Sequence, residues 1–174
     1  MKKRLLLFGS ISISIMLIGC ASRPITNLTT KFDKNLTKEL YDKIGQNTIT
    51  GNSFLRQNGG GIITCAGNFV YLIPKTPYSS EIVSLIYGNT ESGYDPYYNI
   101  GVSIPNISPE YSSFIKQTVC DSQGNFVFNN IADGEYFLDT KVNWIVGNRI
   151  EGGKLMKRVN ISGNKTERVI LAYW

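Results

Sequence analysis

The chain has 174 residues, with 18 Lys and Arg against 13 Asp and Glu, and no histidine. The lack of histidine excludes Ser-His-Asp and Cys-His catalysis and removes the commonest zinc ligand. Without Lys2, Lys3 and Arg4 the formal charge drops from +5 to +2, too near neutral to support nucleic-acid binding.

Those three cations precede Leu5–Ile18, an uncharged run of Leu, Ile, Phe, Met and small residues. A positive segment followed by an apolar one is the pattern of an export signal. Its length, about 14 residues, falls short of the roughly 20 needed to span a bilayer. The run ends Leu17-Ile18-Gly19-Cys20, which resembles the lipobox of bacterial lipoproteins. The resemblance implies diacylglycerol on the Cys20 sulfur, cleavage before Cys20 and fatty acylation of the new amino group. Membrane lipid is then the first partner, and no other cofactor is expected. Two or more acyl chains anchor a protein stably. Ala21 follows the cysteine, and in Gram-negative lipoproteins the absence of Asp there goes with the outer membrane. Residues 1–19 are therefore expected to be a signal peptide, 20–45 a lipidated tether and 46–174 the folded domain.

Two cysteines remain, Cys65 and Cys120. In a chain exported to an oxidising compartment they are expected to pair, with two buried free thiols as the alternative. The tether is rich in Ser, Thr, Asn and Lys, and Phe32, Leu36, Leu40 and Ile44 recur at a spacing that predicts a short helix within 31–44. From residue 46 onward, short β-branched and aromatic runs alternate with Gly, Asn and Asp turns. Strands are expected over 48–57, 62–65, 68–74, 114–121, 126–128, 135–146, 154–161 and 167–174. Residues 148–153 read as a loop, and the last two strands as a hairpin across Ser162-Gly163-Asn164. The fold class is all-β, a single two-sheet sandwich. One long insertion, 76–113, interrupts it; a helix is expected over 78–88 and irregular chain beyond.

The stretch Asp121-Ser-Gln-Gly124-Asn-Phe126-Val-Phe128 with Ile131 and Gly134-Glu-Tyr136-Phe-Leu138 resembles the carboxypeptidase regulatory-like, transthyretin-related sandwich domains. Asn68–Pro74 resembles their earlier Val-x-Leu-x-Pro strand. The resemblance implies a binding or structural role rather than peptidase activity. The insertion and the two cysteines depart from that pattern.

Six of the ten tyrosines fall within 76–113: Tyr78, Tyr87, Tyr94, Tyr97, Tyr98 and Tyr111. The same stretch holds Glu81, Glu91, Asp95 and Glu110 and no cation, whereas 141–168 holds seven cations and two acids. Tyrosine offers broad apolar contact plus a hydroxyl, which suits recognition of protein or sugar. Tyr94, Tyr97 and Tyr98 are the leading candidates for a partner-binding surface, the alternative being rings that pack the insertion onto its own sandwich. The expected role is non-enzymatic binding or scaffolding toward an envelope protein. A carbohydrate- or peptidoglycan-binding module is the alternative, and a hydrolase using Glu91 and Asp95 ranks third. The basic stretch reads as a solvated face, or as one attracted to lipid phosphates.

Overall fold

Alternation of inward apolar and outward polar residues sets the long strands. In β1 (Ile44–Arg56) Asn47, Ile49, Gly51, Ser53 and Leu55 are buried and their neighbours are not. The structure is a computed structural model and describes residues 23–97 and 101–173. The expected signal peptide over 1–19, Cys20 and Tyr98 lie outside the described residues. Helix α1 (Lys34–Asp42) precedes β1; β2 (Ile62–Thr64), β3 (Phe69–Pro74), α2 (Pro77–Tyr87) and β4 (Ser92–Pro96) follow it. A 3-10 turn at Tyr111–Phe114 leads to β5 (Lys116–Val119), β6 (Asn125–Ile131), β7 (Gly134–Val146), β8 (Arg149–Ile161) and β9 (Thr166–Tyr173).

The strands form two sheets. The larger has the order β4-β8-β7-β3-β5, all antiparallel. In the smaller, β1 pairs antiparallel with β2 and β6 and parallel with β9. The core between them holds Ile49, Leu72, Phe126, Phe128, Leu138, Val142, Leu155 and Leu171, among others. Each such side chain contributes roughly 1.5–3 kcal/mol by leaving water. Cys65 and Cys120 are joined, with Cα atoms 5.8 Å apart, and tie the end of β2 in one sheet to the end of β5 in the other. The Asp121 turn closes as its sequence implies: Asp121 Oδ1 accepts from the backbone N–H groups of Gln123 and Asn125, and Gly124 takes φ +80°. The Tyr136 hydroxyl donates to the Ala132 carbonyl at 3.0 Å inside the core.

Several sequence expectations are corrected. Residues 154–161 and 167–174 do not form a hairpin. The free edge of β8 is taken by β4, so the chain crosses to the other sheet and β9 lies beside β1. Buried Asn47 fastens that crossing: its amide donates to Ile131 O and Asp133 Oδ1, and its Oδ1 accepts from Lys165 N. Residues 148–153 are not a loop; β7 and β8 pair continuously to a tight turn at Val146↔Arg149. The insertion is more regular than expected, because β4 extends the larger sheet and a capping box between Thr76 and Ser79 starts α2.

The expected tether is largely built into the domain. Ile25 bridges Ser103, Glu81 accepts from the backbone N–H groups of Thr29 and Thr30, and Leu28 and Phe32 pack with Tyr78, Ile82 and Tyr111. Glu81 is consequently held well below the usual carboxylate range, at about 2, first by its bonds to Thr30 and Thr29. Helix α1 starts later than its apolar spacing implied, after the Asp33 N-cap. It buries Thr37 and leaves Leu36 exposed, because only one side of it meets the body of the domain.

Candidate functional site

The outer face of the larger sheet is covered by the insertion. From β7, Phe137 packs under Val83 of α2 with Met156 beside it. Tyr78 and Tyr111 are buried with ring centroids 5.2 Å apart. The Tyr87 hydroxyl donates to the Asp139 carboxylate. Burial under this cover pushes the Asp139 carboxyl up to about 6, against the opposing pull of the Tyr87 hydrogen bond and of Lys154. Burial also raises the Tyr87 and Tyr111 hydroxyls.

The acids of the insertion are engaged as well. Glu91 meets Arg158 at 2.8 Å, Asp95 meets Lys154 at 3.9 Å, and Glu110 meets Lys34 at 3.0 Å. Strand β4 therefore lies on β8 with its carboxylates over the cations of the C-terminal stretch. The charge asymmetry seen in the sequence is internal, one half docked on the other. Of the three candidate tyrosines, Tyr97 is 38% exposed, beside a pocket of about 250 Å³ lined also by Arg23, Asp95 and Lys154. Tyr94 turns inward from β4 against the core. The Glu91 and Asp95 carboxylates face separate cations rather than a shared cleft.

A larger opening, about 840 Å³, lies at one end of the sandwich, between the β1–β2 turn, β4, the β7–β8 hairpin and the end of β9. Three aromatic rings line it. Tyr94 and Tyr173 stack with centroids 4.6 Å apart and planes 21° from parallel, and Trp144 extends the core-facing row of β7. Two glycines make this packing possible. A Cβ on Gly152 would stand 2.2 Å from Val142 O and 3.0 Å from the Trp144 ring, and one on Gly153 would stand 2.7 Å from the Tyr94 ring. The Tyr94 hydroxyl donates to Gly152 O at 3.1 Å, fixing its ring. A third glycine, Gly61, leaves room for the Gln57 side chain, whose Oε1 lies 2.6 Å from where a Cβ would be.

Four planar polar groups line the same opening: Arg56, Gln57, Asn58 and Glu151, the last directly across from Trp144 in the β7–β8 register. Their side chains make no hydrogen bond or ion pair with the described residues. Rings that offer a flat apolar surface, flanked by solvent-accessible amide, carboxylate and guanidinium groups, suit a ligand with both a hydrophobic face and many hydroxyls.

No protein-family model and no curated protein matches the chain. Among solved structures it is similar to a Pseudomonas aeruginosa protein described as a "putative carbohydrate binding protein", with TM-score 0.67 and 21% identity, over 81% of this chain and 97% of that one. The two share a fold.

Sequence reasoning found one wall of the opening, Tyr94, and missed the rest. Arg56, Trp144, Glu151 and Tyr173 come from four strands in both sheets, and no local pattern links them. The usable signal was Gly152-Gly153, paired glycines inside a strand, which mark a close approach by another group.

Proposed function

We propose that the protein is a non-enzymatic, lipid-anchored envelope module that binds carbohydrate in the end cleft. The observation that carries the reading is the convergence of Trp144 and the Tyr94–Tyr173 stack with four polar side chains that have no partner among the described residues. Stacking would hold the apolar face of a pyranose, while Arg56, Gln57, Asn58 and Glu151 would bond its hydroxyls. The description of the similar Pseudomonas aeruginosa protein supports the same ligand class. The Asp121–Leu138 motif supports kinship with the carboxypeptidase regulatory-like sandwiches, and Leu17-Ile18-Gly19-Cys20 supports lipidation, placing the module at a membrane surface, the outer membrane in a Gram-negative cell.

The test is a pull-down of the mature chain on peptidoglycan and on envelope polysaccharides, repeated with Trp144→Ala. Retention of wild type on at least one glycan, lost in the variant, is the expected result. Failure to bind any of them, or equal binding by both, rejects the reading. Mass analysis of the mature N-terminus checks the anchor, and an unacylated residue there refutes that part.

A further inference from the structure

The β7–β8 hairpin ends in an uncovered aliphatic tip. Ile145 and Ile150 face each other across the two strands and are 73% and 57% exposed, and Val146 beside them is 55% exposed. Three large aliphatics within six residues of one turn are unusual on a soluble surface, where exposed apolar residues are normally scattered. Ile44, 85% exposed, lies at the far end of β1. Charged residues border the tip: Arg149 and Glu151 flank Ile150, and Lys141 is exposed further down β7. Long cationic stems suit a position at lipid headgroups.

The start of the described chain shows what could cover this tip. Arg23 lines the small pocket with Lys154, Asp95 and Tyr97, and Tyr97 N donates to Gly152 O at 2.9 Å. Arg23 thus lies beside β8 near the base of the exposed hairpin. Lys154 is four positions along β8 from Ile150, about 13 Å at the usual rise of a strand. Cys20 is three residues before Arg23, which allows a reach of about 10 Å. A lipid on Cys20 would therefore enter the bilayer on the side of the domain that carries the bare aliphatic tip. The remaining link is too short to hold the domain away from that bilayer.

We propose that the tip of the β7–β8 hairpin, Ile145, Val146 and Ile150, inserts into the membrane that holds the protein's own lipid anchor, with Arg149 at the anionic headgroups. This rests on the lipidation of Cys20. It orients the domain on its membrane and places the aromatic cleft, whose wall the hairpin forms, next to the headgroup layer.

The experiment uses the mature lipidated chain on vesicles of phosphatidylethanolamine and phosphatidylglycerol carrying brominated acyl chains. Trp144 serves as the reporter in a Trp174→Phe background, since the chain has two tryptophans. Insertion predicts co-flotation with the vesicles, quenching of Trp144 and a blue-shifted emission. Ile145→Asp with Ile150→Asp should abolish the quenching and the shift while flotation, circular dichroism and the disulfide are retained. Ile44→Asp should change none of these. Flotation without quenching in the parent chain, or equal quenching in the tip variant, overturns the insertion and leaves the anchor intact. Loss of flotation in the parent chain overturns the anchor and the insertion together.

Discussion

The two tyrosine-bearing regions of this protein put the same residue types to opposite uses. In the insertion, Tyr78 and Tyr111 are buried and Tyr87 is half-buried against the protein's own sandwich, and Glu81, Glu91, Asp95 and Glu110 each meet a partner. At the end cleft, Tyr94 and Tyr173 stack on each other while Arg56, Gln57, Asn58 and Glu151 have no partner among the described residues. Clustering of aromatic and charged residues along a chain therefore does not by itself mark a binding surface. The physical distinction is whether the polar groups are satisfied inside the molecule.

Substitutions should separate the two regions, and the largest effect belongs under the insertion. Phe137 is completely buried, and Phe137→Ala should cost about 3–5 kcal/mol by leaving a cavity. Urea denaturation measures this, and a cost near zero would mean that the cover is not packed as described.

Next comes a pH effect. The Asp139 carboxyl is raised in the folded state from 3.8 to about 6, so the folded protein holds that proton more tightly than the unfolded chain. Its contribution to stability is fully present below the unfolded value and is lost as pH rises through the folded one. Asp139→Asn should remove that decline, seen as a flatter plot of denaturation midpoint between about pH 4 and about pH 7. Glu81 acts in the opposite direction: lowered to about 2, it contributes above its unfolded value and loses that contribution as the solution becomes strongly acidic.

At the cleft the effect to read is on binding. Trp144→Ala and Tyr173→Ala should each weaken glycan binding roughly tenfold, about the value of one lost aromatic contact. Tyr97→Ala should leave that affinity unchanged, since its ring lines the separate pocket near Arg23. Calorimetric titration distinguishes these outcomes, and a loss on Tyr97→Ala equal to that on Trp144→Ala would move the site to the insertion. The smallest effect is expected from Glu91→Gln. Its bond to Arg158 is an exposed ion pair, and its loss should cost less than about 0.5 kcal/mol.

Much of the sandwich was legible locally. The Phe126 and Phe128 strand, the Tyr136 to Trp144 face, the α2 helix and the Cys65–Cys120 pair all follow from period, turn residues and cysteine count. What escaped was decided at long range. Strand β4 contains Gly, Asp and Pro and has little intrinsic strand preference; it is a strand because β8 offers it an edge. Gly152-Gly153 read as a loop because their role lies in the Tyr94 and Trp144 rings that approach them. The partner of β9 could not be read from β9, since Val169 and Leu171 would alternate in the same way in either sheet. The cleft escaped for the same reason, because its walls meet only once β9 has crossed.

That crossing also governs when the domain can be completed. The parallel β1–β9 ladder joins Thr48 to Thr166 and Leu55 to Tyr173, so one edge of the first strand is covered only by the last of the described strands. Until β9 has been made and has docked, that outer rim of β1 is bare. An unpaired rim of that kind invites association with other chains, which makes the last eight-residue strand the step that ends the vulnerable interval.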